Sequence, residues 1–197
     1  MGWCYCRPPH LSEIRTVINL SLSDWLSDIP IIGDVWEVSA EAFAALLADS
    51  YSELRENMSW VEVDSTGLDT RNHLLAETSL DPVQLNKSET EIISGKWEDI
   101  TGFVSTDPQD FDIDHRVPFR KVVEMHTDFD KLEREEQLAI YNDRDNLQVL
   151  RDRENLIKSD MSHFDYAHRI KDPEVREKFL ASAESYIEKI QREKERL

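Results

Sequence analysis

Two short alternating runs, closed by a proline and followed by a capped helix, constrain this chain most. Phe111, Ile113 and Val117 recur at strand spacing, and Pro118 stops the run because it has no N–H to give to a ladder. Asn146–Leu150 reads as a second strand of similar length. Asp152 can then cap a short helix that carries Asn155 and Lys158 at i and i+3 on one face. Strand, strand, helix is the minimum scaffold for holding one hard cation against a phosphodiester. The stretch between the strands, Arg120–Asp145, is expected to carry a helix around Lys131–Tyr141.

The rest of the chain reads as helical. Leu11, Ile14, Ile18, Leu22 and Trp25 recur every three or four residues, which predicts an amphipathic helix over about Leu11–Leu26. Pro30 and Gly33 break it, Asp34 can cap a second helix over Val35–Glu56, and the two form a hairpin. From Val61 to Ser94 the pattern weakens around the turn signals Thr66-Gly67 and Asp81-Pro82. Ser94–Gly102 looks like a loop around a buried Trp97, and Asp172-Pro173 caps a final helix from Glu174 with Phe179, Ala183, Tyr186 and Ile190 on its apolar face. The expected fold is α+β, mainly helical with a small strand-hairpin-plus-helix core. Three regions are expected: an acidic helical region 1–93, a core 94–171 and a terminal helix 172–197.

Charge divides the same regions. Residues 1–111 hold 6 Lys+Arg against 20 Asp+Glu, whereas residues 112–171 hold 11 against 14, so most of the formal −18 lies in the N-terminal half. An acidic chain is an unusual polyanion binder, but a nearly balanced core has room for a local basic face, expected from Arg116, Arg120, Lys121, Arg151, Arg153 and Lys158. Cys4 and Cys6 lack a second Cys/His pair at zinc spacing and read as free thiols. The most apolar stretch, Ile29–Leu47, is too short and too charged to span a bilayer, so a soluble protein is expected.

Asp-His-x-x-Pro at 114–118, Asn-Leu-Gln-x-Leu at 146–150, a second Asn nine residues after the first, and Lys three further on together resemble the HNH (ββα-metal) endonuclease superfamily. Asn at the last ligand position is similar to the HNH module of RNA-guided DNA-cutting enzymes. The start Asp112-Ile-Asp-His-Arg-Val-Pro118 resembles secreted and restriction-type members. The resemblance implies one divalent cation, Mg²⁺ or Mn²⁺, on Asp114 and Asn155, which are hard oxygen donors. Asp112 is an alternative or supporting ligand. His115 is the general base, and Asn146 joins it in the catalytic set by tying the strands together and holding His115. Lys158 and Arg116 are expected on phosphate.

Ile29-Pro-Ile-Ile-Gly-Asp34 further resembles the segment that precedes the toxin domain in many bacterial polymorphic toxins. That likeness implies an antibacterial effector acting on DNA in a target cell's cytoplasm, with a cognate immunity protein as partner. A phage or restriction-type HNH endonuclease is the alternative, and a non-catalytic protein-interaction module with a relic HNH fold is the alternative of another class.

Overall fold

The computed structural model describes residues 51–63, 67–126 and 128–195. The chain divides into two compact units, Met1–Leu46 and Leu47–Leu197. The expected helix at Leu11–Leu26, the break at Pro30 and Gly33, most of the second helix, and both cysteines lie outside the described residues; positions 51–57 are helical.

The described unit is α+β with small antiparallel two-stranded sheets. After the helical segment 51–57 come α1 (Thr70–Thr78), the hairpin β1 (Gln84–Leu85) and β2 (Ile92–Ser94), and the hairpin β3 (Trp97–Glu98) and β4 (Val104–Ser105). Then follow β5 (Phe111–His115), α2 (Phe119–Met125), α3 (Arg134–Tyr141), β6 (Leu147–Arg151), α4 (Asp152–Lys158), α5 (His163–Ala167) and α6 (Pro173–Lys194). No described helix is long and apolar enough to cross a membrane.

The expected strands pair in one register, Phe111 with Arg151 through His115 with Leu147. Alternation then sorts their side chains. Phe111, Ile113, Leu147 and Val149 enter a core with Leu74, Leu75, Ile92 and Trp97, whereas Leu150 packs on the other side with Tyr166, Ile170 and Phe179. Because β6 runs against β5 and α4 folds back on β6, α4 runs with β5.

A boundary at residue 93 falls inside this core rather than at its edge. Leu74, Leu75 and Ile92 share a cluster with Phe111 and Val149, and the Trp97 indole N–H donates to the carbonyl of Leu75 at 2.7 Å. The stretch 61–94, where the pattern weakens and irregular or short-element connecting structure is expected, therefore holds a helix and a strand of the core. Trp97 is fully buried as expected, but in a strand whose approach is shaped by Gly95: a Cβ there would lie 2.5 Å from the indole. The terminal helix begins at Pro173, and the Asp172 carboxylate accepts from the backbone N–H groups of Glu174 and Val175. Phe179, Ala183, Tyr186 and Ile190 form its buried stripe.

Candidate functional site

The site lies on β5 and the face of α4 above it. Residues two apart on β5 meet residues three apart on α4. The Asp112 carboxylate accepts from the Asn155 amide at 3.2 Å. The Asp114 carboxylate accepts from the Lys158 ammonium at 2.9 Å and from the Gln148 amide at 2.7 Å.

This arrangement corrects two expectations. Lys158 does not reach a phosphate: its side chain is 1% exposed, and its ammonium is held by Asp114 and by the main-chain oxygen of His115 at 2.7 Å. Asp114 is 6% exposed, with Oδ1 on Lys158 and Oδ2 on Gln148, so it is engaged inside the protein. Burial pushes its carboxyl up from the ordinary range, against the pull of Lys158 and Gln148. The carboxylate within hydrogen-bonding reach of Asn155 is Asp112, named from sequence as the alternative ligand. A helix with i, i+3 polar residues in apolar surroundings explains why: the nearest buried carboxylate takes the ammonium, since a buried charge without a partner is costly.

His115 points to the other face of β5, among the rings of Trp60, Phe119 and Tyr141, whose centroids lie 6.1, 5.5 and 4.8 Å away. Its Nε2 lies 2.8 Å from the carbonyl oxygen of Tyr141. A carbonyl only accepts, so Nε2 carries the proton and Nδ1 holds the free lone pair. Burial pushes the imidazole down to about 3, with Arg55 and Lys158 adding to the shift. The ring is therefore neutral at physiological pH.

Asn146 is fully buried and spent on the backbone that follows His115. Its Oδ1 accepts from the Val117 N–H at 2.8 Å, its Nδ2 donates to the Val117 carbonyl at 2.9 Å, and its own carbonyl accepts from the Arg116 N–H at 2.7 Å. It is a positioning residue. The Arg116 guanidinium donates to the carbonyl of Asp145 at 3.2 Å.

Two clefts open at this edge. One of about 240 Å³ is lined by His115, Asp114, Asn155, Tyr51 and Arg55 among others. Another of about 280 Å³ is lined by Asp112, Asn155, Tyr141, Trp60, Arg71 and again Arg55. Asn155 and Arg55 border both. Sequence reading missed Arg55, Gln148 and the Tyr141 carbonyl. Of these only Gln148 left a signal, since strand alternation sets it opposite Leu147 and Val149 and therefore on the face of α4.

Among the described residues no three His, Cys, Asp or Glu side chains gather around one point. The donor set that does gather, Asp112 with Asn155, fits a hard divalent cation. Turning the Asn155 amide exchanges its nitrogen for its oxygen, which sets two hard oxygens side by side and leaves further coordination positions to water and phosphate.

No family model matches the chain, and neither a curated protein nor a solved structure matches it.

Proposed function

We propose that the protein is a metal-dependent endonuclease of the HNH type that hydrolyses DNA phosphodiester bonds. The observation that carries this reading is that Asn155 pairs with the Asp112 carboxylate on one side and lines, on the other, the cleft that also holds the neutral, backbone-held imidazole of His115. Asp112 and Asn155 would hold Mg²⁺ or Mn²⁺, which would supply stabilisation of the charge developing on the leaving oxygen. His115 takes a proton from the attacking water at Nδ1, while the Tyr141 carbonyl fixes its tautomer. A phosphodiester in the cleft raises the imidazole's affinity for that proton by its negative charge. Arg55, which forms no ion pair among the described residues and borders both clefts, gives the phosphate a cationic wall.

The biological setting proposed is an antibacterial effector domain with a cognate immunity protein. The observation favouring a protein partner is the exposure of Leu156 (78%), Phe164 (53%) and Met161 (38%) on α4, α5 and the turn between them, with Leu156 also bordering the first cleft. A protein seated there would cover the site.

The test is cleavage of supercoiled plasmid by the purified protein with Mn²⁺ or Mg²⁺, with and without EDTA. Conversion to nicked or linear forms only with metal is expected, and His115→Ala is expected to lose roughly 10²–10⁴-fold in rate. Plasmid left intact in either metal across a range of salt overturns the reading.

A further inference from the structure

A third cleft, of about 670 Å³, lies between α6 and the turn that enters β6. Its lining reverses the sign of the chain: Arg116, Arg144, Lys189 and Arg192 face a single carboxylate, Asp145. Three of the four cations have carboxylate partners. Arg144 pairs with Glu77, Lys189 lies 2.7 Å from both Asp143 and Asp145, and Arg192 makes a loose exposed contact of 3.8 Å with Glu188. Arg116 differs. It is partly buried, follows His115 directly, and the one hydrogen-bond partner of its guanidinium among the described residues is the carbonyl of Asp145.

The α6 wall is regular. Ser182, Ser185, Lys189 and Arg192 fall at i, i+3, i+7 and i+10, on the face beside the buried stripe of Ala183, Tyr186 and Ile190. That row spans about 15 Å at the helical rise. A cleft of this length lined by hydroxyls and cations is oversized for one small anion. It suits successive phosphates, which recur on each strand about every 3.4 Å of rise along the duplex axis. We propose that this cleft binds the sugar-phosphate backbone of nucleic acid outside the cleavage site, with Arg116 as its anchor and α6 as its wall. The proposal rests on the nuclease reading for the identity of the polyanion. It gives the terminal helix, whose charged face looks like ordinary solvated surface, a part in holding substrate.

Ser185 is exposed and lines the cleft, so charge can be placed there without breaking an ion pair. Binding of a fluorescein-labelled duplex oligonucleotide is measured by anisotropy in EDTA, across a salt series, for the full chain and for Ser185→Glu, Ser185→Arg and Ser185→Gln. Thermal melts check that each variant is folded. Ser185→Glu is expected to weaken binding several-fold and Ser185→Arg to tighten it. The slope of log affinity against log salt is expected to shift by about one unit for the arginine, with Ser185→Gln like wild type. Folded Glu and Arg variants that bind like wild type overturn the cleft, as does a wild type that binds no DNA in EDTA. The wild-type plasmid assay separates the two readings. Metal-dependent cleavage with charge-insensitive binding removes the cleft alone, whereas charge-sensitive binding without cleavage removes the nuclease reading and keeps the cleft.

Discussion

His115 sits in an aromatic box with one ring nitrogen tied to a carbonyl, and its ionisation follows from that. Its folded value of about 3 lies below the unfolded value of about 6.5, so the folded state resists protonation that the unfolded state accepts. The stabilisation this provides is complete above pH 6.5 and is lost as pH falls toward 3, at about 1.4 kcal/mol per pH unit. Asp114, pushed the opposite way, works against this trend. Comparing wild type with His115→Gln by urea unfolding in EDTA isolates the histidine: wild type is expected to lose stability more steeply between pH 6.5 and 4. Parallel curves would place the ring in contact with water. Lys158 gives a second prediction at this scale. Lys158→Met strands the Asp114 carboxylate and is expected to cost about 3–5 kcal/mol, most of it recovered in Asp114→Asn/Lys158→Met. The same urea unfolding decides it. An unchanged Lys158→Met stability would mean the ammonium is hydrated.

Among the elements, β5, β6 and α4 hold the site, and their part in it separates Asp112 from Asp114. Asp112→Asn is expected to abolish Mn²⁺ binding measured by calorimetry, while Asp114→Asn retains it at reduced affinity. The reverse order would return the cation to Asp114. The two strands were legible because alternation and a proline stop mark them locally. The helix is expected to be capped by Asp152, but Asp152 is its first residue, with Arg151 at the N-cap and no side-chain cap. The site's pairing was legible only in part: Asn155 and Lys158 share a helix face by spacing, but which carboxylate each meets depends on strand register, which no local pattern records. Helix α1 was not legible at all. Its buried residues include Thr70 and Asn72 beside Leu74 and Leu75, so polar side chains hide its inner face. Asn72 holds that position by tying the helix to β2: its amide oxygen accepts from the Ile92 N–H at 3.0 Å. The β3 approach adds a steric test. Gly95→Ala is expected to destabilise by about 1–3 kcal/mol because the methyl meets the buried Trp97 ring. A thermal melt matching wild type would mean that the indole shifts freely.

At the level of the whole molecule, acidity is not spread by function. The helical segment 51–57 belongs to the half of the chain with the large negative excess, yet Tyr51, Leu54, Met58 and Trp60 pack on the core that contains Phe119 and Tyr141. The Arg55 guanidinium lies 5.0 Å from the centre of the Tyr141 ring. From charge alone, deletion of residues 1–56 is expected to spare DNA binding provided the remainder still folds. The packing says that such a cut opens the core and removes a cation from the site. Removing residues 1–46 is expected to leave a cooperative thermal transition, and removing residues 1–57 to abolish or broadly weaken it. Equal melts for both truncations would show that the segment contributes little to the core.

The register between β5 and α4 sets where this gene can tolerate a change of length. Asp112 meets Asn155 and Asp114 meets Lys158 through a continuous run from β6 into α4, with no loop to absorb an offset. One codon inserted between Arg151 and Asn155 would turn the helix by about 100°. Asn155 and Lys158 would then leave β5 together, and the buried carboxylate would lose its ammonium in the same event. The span from α2 to the turn before β6 carries no such coupling to Asp112 or Asp114. Insertions and deletions should therefore accumulate among descendants between residues 130 and 133, past the buried Phe129, and be purged between 146 and 158, even where every side chain in the lengthened protein is individually acceptable.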